Sequence, residues 1–232
     1  MKEIAINSWN EYLAIWPKWI STLWMFRGVS NASYDLIPKI GRKNARYDST
    51  YNKRLEEALL ARFKSGAAPF VDVQPIDDLD WLVLAQHHGL PTRLLDWTSS
   101  PLVALYFAVE GAGRPGQPNV DGAVYAFPQA TEVISQSDKP FDISAVMLVS
   151  PKHLSRRIAA QNAVMTIHPE PTKAHVHKDA MKIIFKSGVF GELLTMLRLC
   201  GINSSTLFPD LGGLSDYLTH WYRWAQNPTL PD

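Results

Sequence analysis

A chain of 232 residues, 46% hydrophobic and 19% charged, is long enough to bury one substantial core. Its 23 basic and 22 acidic residues leave a net charge of +1, which excludes a basic coat for non-specific nucleic-acid binding. Its single cysteine, Cys200, excludes an intramolecular disulfide framework and a cysteine-rich zinc site.

The N-terminal MKEIAINSWNEY lacks the apolar run of a signal peptide, and no stretch approaches the roughly 20 apolar residues of a membrane span. A cytoplasmic protein without a membrane partner is expected. Ser8 and Glu11 have capping-box spacing, so a short helix should run to about Trp16 and stop at Pro17. TLWMFRG reads as a buried strand ending in Arg27 and Gly28. VSNASYDLIPKIGR is rich in turn residues and reads as loop. In TYNKRLEEALLARFKSG, Leu55, Leu59, Leu60 and Phe63 recur at helical spacing, with Ser49 or Thr50 as cap and Gly66 as end. Asp77 should cap a helix from about Asp78 to His88, terminated by Gly89.

Ser99 or Ser100 is a helix cap, and Pro101 suits a first turn. The following LVALYFAVE is apolar on every face, which predicts a helix buried all round. GAGRPGQPNVDG reads as an exposed loop. AVYAF, DISAVMLV, AVMTIH and MKIIF read as strands, and SRRIAAQ as a helical turn. FGELLTMLRLC is an amphipathic helix ended by Gly201, with Cys200 expected as a small buried hydrophobe. The last helix is LSDYLTHWYRWAQ. Its Trp221, Tyr222 and Trp224 should pack into the core, a partner surface being the alternative. Short strands interrupted by unequal helices lack an even βαβ rhythm. The expectation is an α+β single domain over 1–232, a central mixed or antiparallel sheet of short strands surrounded by helices.

Several chemistries have no support. GXSXG, GXXXXGK[ST] and HEXXH are all absent. His87-His88 and His175-Val176-His177 have no acidic residue at a zinc spacing, so no metal is expected. Asp72, Asp77, Asp78 and Asp80 hint at Mg²⁺, but capping explains Asp77 better. Arg42, Lys43, Arg46, Lys53 and Arg54, interleaved with Tyr47 and Tyr51, suit either phosphates and bases or a solvated helix start.

The dense feature is Thr92, Arg93, Asp96, Trp97, Thr98, Ser99 and Ser100, directly before the apolar helix. Capping needs one serine and the proline, not the rest. A helix start offers free N–H groups to an anion such as phosphate, and Arg93 can reach that anion or pair with Asp96. Arg27, at the end of an apolar strand, needs an acidic partner or an anionic ligand. Gly28 permits close approach of backbone or ligand. Gln161, preceded by Arg156 and Arg157, opens a strand.

The order MFRG, LIPKIGR, LAQHHGLPTRLLDWTSSPLVALYFAV, RRIAAQNAVMTI, GINSSTLFPDLGGL, over about residues 23 to 218, resembles the FRG domain family. That family is named for Phe-Arg-Gly, here Phe26-Arg27-Gly28. One departure is Ala163 and Met165, where members more often carry Gly and Phe. The family occurs in bacteria and phage, often near mobile elements and defence genes. Its motif layout is similar to that of the ADP-ribosyltransferase superfamily: an Arg on an early strand, a Ser-Thr-Ser-like strand end before a helix, and a Glu or Gln on a later strand. The matching positions are Arg27, then Thr98-Ser99-Ser100, then Gln161, which replaces the usual Glu; Glu192 falls in a helical stretch.

The resemblance implies an ADP-ribosyltransferase-like fold and NAD as substrate. Arg27 would hold the pyrophosphate, with Thr98, Ser99 and Gln161 also catalytic. Gly28, Arg93, Asp96, Trp97 and Ser100 would line the dinucleotide, with Trp97 or Tyr34 stacking on nicotinamide. It implies a toxin or anti-phage effector acting on a protein or nucleic-acid acceptor, with an antitoxin as a further expected partner. The alternatives are a non-catalytic module that recognises a nucleotide, a nucleic acid or a phage protein, and a nuclease or hydrolase using Asp96 with His87 or His88.

Overall fold

The computed structural model describes residues 1–20, 23–43, 51–71, 74–111, 120–130, 132–135, 138–150 and 156–226. In chain order the elements are β1 (Lys2–Ile6), α1 (Trp9–Ala14), β2 (Trp24–Val29), α2 (Lys53–Ala67), α3 (Asp78–His87), β3 (Leu94–Thr98), α4 (Pro101–Val109) and β4 (Gly122–Pro128). There follow β5 (Met147–Val149), α5 (Arg156–Ala160), β6 (Ala163–Ile167), β7 (Met181–Phe185), α6 (Phe190–Leu199), α7 (Ser204–Leu207) and α8 (Leu211–Gln226). The strands form one mixed sheet in the order β1-β7-β4-β2-β3-β6-β5. β1 and β7 run parallel; the other neighbours run antiparallel. This is the α+β single domain that the sequence pattern predicts.

Local chemistry sets many of the boundaries. Ser8, Asp77 and Ser100 each accept a backbone N–H from the first turn of α1, α3 and α4. Gly89 ends α3 at φ +88, a conformation that costs glycine least. Other boundaries differ from expectation. α1 stops at Ala14, and Pro17 sits inside a 3-10 turn over Trp16–Trp19. Asn52 caps α2 through Arg54 and Leu55, so Ser49 and Thr50, outside the described residues, are not its cap. Only Met147–Val149 of the DISAVMLV segment is strand. α8 starts at Leu211, three residues earlier than expected. β1 and α7 are additions, the latter fixed by a capping box from Asn203 to Thr206.

α4 lies directly on the sheet, with Val103, Ala104, Leu105, Tyr106, Ala108 and Val109 buried. Two glycines admit it. A Cβ on Gly28 would lie 1.9 Å from the Ala104 carbonyl oxygen, and one on Gly122 would lie 2.2 Å from that of Ala108. α4, α6 and α1 cover the β7-β4-β2 part of this face with one apolar cluster, while α2 and α3 cover the β3-β6 part with a second. The opposite face is closed by Met25, Leu95, Trp97, Tyr125 and Phe127, packed with Leu36 from the loop after β2.

Two surface assignments need correction. Cys200 is exposed, because α6 stops one residue before it and the chain turns away at Gly201. Trp221 and Tyr222 are exposed too, with Leu211, Leu214 and Leu218, because α8 packs chiefly on α7, through its first turns.

The pairing between strands is uneven. β2 pairs with β4 from Trp24 to Val29, and β3 pairs with β6 from Leu94 to Thr98. β2 and β3 meet only at Phe26 and Thr98. The sheet therefore forks between its two central strands.

Candidate functional site

A cavity of about 380 Å³ fills that fork, within the size range of small-molecule sites. Alternation along β3 puts Asp96 and Thr98 on one face, opposite Met165 and Ala163 of β6. These four side chains belong to the cavity floor, with Gln161 just before β6. Gln86 and His87 come from the end of α3, Phe107 and Glu110 from α4, and Arg157 from α5. Tyr34, Asp35 and Arg42 reach the cavity from the loop after β2.

Arg27 spans the opening. By register it pairs with Tyr125, but the missing β2–β3 ladder lets its guanidinium cross to β3. There Nη1 donates to the backbone carbonyl of Asp96 and stands 3.8 Å from that residue's Oδ2. Burial lowers the pKa of Arg27, Asp96 opposes the shift and Arg42 adds to it. An arginine held this way stays charged at neutral pH.

The polar side chains before α4 form a chain of hydrogen bonds. The Thr92 hydroxyl donates to Gln86 Oε1 and accepts from the Leu94 amide. That orients the Gln86 amide, whose Nε2 donates to Asp96 Oδ1 at 2.7 Å. Thr98 Oγ1 donates to the Gln161 carbonyl at 2.7 Å and accepts from the Ser100 amide at 3.0 Å. The end of β3 is thus tied to the start of β6. Gln161 Nε2 donates to the Leu207 carbonyl at 3.2 Å. Phe208 supports the same wall, with Arg157 over its ring at 4.5 Å and Phe107 edge-on at 6.1 Å. The distant GINSSTLFPD segment therefore positions both Gln161 and Arg157.

Of the residues expected at the site, Arg27, Gly28, Asp96, Trp97, Thr98 and Gln161 line one cavity; Ser99, Ser100 and Arg93 do not. Ser100 is the α4 cap, and Ser99 is exposed, its amide bound to the Asn162 carbonyl. Arg93 is buried elsewhere and pairs with Glu56 at 2.8 Å, not with Asp96 or an anion. Trp97 lines the cavity without a free ring face. Its indole donates to Thr166 and packs on Phe127 and His175, leaving the residue 3% exposed. Gly28 serves α4, as its contact with Ala104 shows. Glu192 accepts the Trp9 amide and joins α6 to α1.

The wider basic stretch disperses. Arg42 lines the cavity and donates to the Ile37 carbonyl; Lys53 pairs with Asp142 at 2.6 Å; Arg46 and Tyr47 lie outside the described residues. Tyr51 donates to Glu56 and accepts from Arg93. Asp78 pairs with Lys64, Asp77 caps α3, and Asp72 lies outside the described residues. Among the described residues no three His, Cys, Asp or Glu side chains are grouped to hold a metal ion. No described helix is long and apolar enough to cross a membrane. His87 lines the cavity and His88 does not; burial, then His88 and Arg157, lower the His87 pKa against the pull of Asp96.

Gln86, Phe107 and Glu110 escaped sequence reasoning. Gln86 follows an apolar run in α3 and carries no motif of its own; only its hydrogen bonds to Thr92 and Asp96 reveal it.

Comparison with known proteins gives one family. The FRG domain model matches residues 22–116, and the chain carries an FRG domain over that span. No curated protein and no solved structure matches the chain. The matched span holds β2, β3 and α4, and with them Arg27, Gln86, Asp96 and Thr98. Arg157, Gln161, Ala163 and Met165 complete the cavity from beyond it.

Proposed function

We propose that this FRG-domain chain is an NAD-dependent ADP-ribosyltransferase-like protein, acting as a toxin or anti-phage effector. The observation that carries this reading is the fork in the sheet. Arg27, Thr98 and Gln161 lie far apart in sequence, yet all three line the cavity that the fork creates. They are the positions at which the motif layout resembles that superfamily.

The cavity chemistry suits a dinucleotide. Arg27, with Arg42 and Arg157 nearby, offers guanidinium groups to a pyrophosphate. Tyr34, 54% exposed, and Phe107 offer aromatic surface to a nicotinamide or adenine ring. Loss of nicotinamide leaves positive charge on the ribose, which the polar floor formed by Asp96, Thr98 and Gln161 would face. The chain would hold the two reacting groups together across the fork, converting an encounter into an intramolecular step. An acceptor protein or nucleic acid, and an antitoxin that silences the site, belong to the same proposal.

The test is transfer of label from adenylate-labelled NAD by wild type and Arg27→Ala, with lysate protein and total RNA offered as separate acceptors. Label on either acceptor, lost in the variant, is the expected result and identifies the acceptor class. Absence of both label and nicotinamide release from folded wild type would overturn turnover. A second reading, recognition of a nucleotide without turnover, is favoured by one residue: Gln161 stands where a carboxylate is usual. It predicts NAD binding that depends on Arg27 with no nicotinamide released.

A further inference from the structure

Gln161 carries no charge, so a cavity that cleaves NAD must find its carboxylate elsewhere. Among the described residues three acidic side chains line it: Asp35, Asp96 and Glu110. Asp35 belongs to the loop after β2, and Glu110 to the far end of α4. Asp96 alone stands on the strand floor, on the same face of β3 as Thr98 and about 7 Å from it along the strand. Its side chain is 54% exposed.

The carboxylate is held in one orientation. The Thr92 hydroxyl fixes the Gln86 amide, and that amide donates to Oδ1. Oδ2 stands 3.8 Å from Arg27 Nη1, outside hydrogen-bond distance. One oxygen is anchored, then, and the other lies beside Arg27, in a residue that lines the cavity.

We propose that Asp96 is the catalytic carboxylate of this site, with Gln161 positioning the ribose. This rests on the NAD reading above. The bond between ribose C1′ and the nicotinamide nitrogen breaks, and its electron pair leaves with neutral nicotinamide. Asp96 stabilises the ribosyl cation that forms. An acceptor hydroxyl, or water, adds its oxygen lone pair to C1′ and gives its proton to Asp96, which returns it to solvent. NAD and acceptor thus yield ADP-ribosyl acceptor, nicotinamide and one proton.

The experiment compares wild type, Asp96→Asn and Gln161→Ala by NAD affinity in calorimetry and by nicotinamide release, with thermal unfolding to check the fold. Asp96→Asn keeps an acceptor for Gln86 and should bind NAD within about threefold of wild type while releasing nicotinamide about 100-fold more slowly or worse. Gln161→Ala should lose less. In Asp96→Ala, added formate should restore release, a rescue that a purely structural role would not give. Release by Asp96→Asn within threefold of wild type would overturn the proposal and leave NAD turnover standing. Wild type that binds NAD without releasing nicotinamide would overturn it and leave the binding reading. Wild type that does not bind NAD would overturn the NAD reading itself and this proposal with it.

Discussion

Arg27 lies on β2 and Arg93 immediately before β3, the two strands that flank the fork, and their surroundings could hardly differ more. Arg93 is 1% exposed and all three of its guanidinium nitrogens are engaged: Nε and Nη2 on Glu56, Nη2 also on the Tyr51 hydroxyl, Nη1 on the Pro140 carbonyl. Phe141 covers its flat side at 4.8 Å. Arg27 gives one donor to a backbone carbonyl, keeps its carboxylate partner at 3.8 Å, and opens on a cavity. A guanidinium has five N–H donors in a rigid fork. Where protein acceptors use them up, the residue is a rivet. Where they are left facing a cavity, it is a place for an anion.

Four experiments break or sharpen that contrast. The largest effect belongs to Arg93→Met. It leaves Glu56 buried without its cation, so denaturant unfolding should show a loss of about 3–5 kcal/mol, and replacing both partners by apolar residues should recover much of it. A loss below about 1 kcal/mol would deny that Arg93 is a rivet. Gly28→Ala comes next. The added methyl meets the Ala104 carbonyl, so α4 must shift, at a cost of about 1–3 kcal/mol in the same measurement, and NAD affinity should fall with the fork disturbed.

Arg27→Lys should cost about 1 kcal/mol or less in stability, because one hydrogen bond to a backbone carbonyl is what it removes. Its effect lies in binding: an ammonium cannot span a pyrophosphate as a guanidinium does, and NAD affinity should fall about tenfold or more. Equal destabilisation by Arg27→Lys and Arg93→Met would erase the distinction between the two sites.

The most gradual effect concerns pH. Behind β3, burial lowers His168 from 6.5 to about 3, and lowers His175 from 6.5 to about 4 with His177 adding to it. Between those values and 6.5 the unfolded chain binds protons that the folded chain refuses. Stability is therefore full above pH 6.5 and falls as pH drops toward 4. Thermal unfolding from pH 7 to 4 should show this slope, and His175→Phe should flatten it; an unchanged slope would mean that His175 titrates alike in both states.

What the sequence discloses here follows from what is local. The caps Ser8, Asp77 and Ser100 and the terminators Gly89 and Gly201 act within a turn of their own helix, and each is legible in place. So is the burial of α4, where every face is apolar. β3 hides because Leu94, Leu95, Trp97 and Thr98 are buried on both faces, which removes the alternation that betrays a strand. The exposure of Cys200 and Trp221 is equally silent, since an apolar stripe does not say whether anything covers it. In the site, Arg27, Thr98 and Gln161 were legible as separate points. Gln86 and the true partner of Arg93 were not, because each depends on a contact made over distance along the chain.

One rung of backbone pairing, Phe26 with Thr98, joins the four strands on one side of the fork to the three on the other. Mechanically the two halves meet at a pivot rather than along a seam. A molecule lodged between Arg27 and Gln161 would act as a clasp, stiffening the angle between the half-sheets, so ligand occupancy should register as slower amide hydrogen exchange along β2 and β3 well away from any atom the ligand touches.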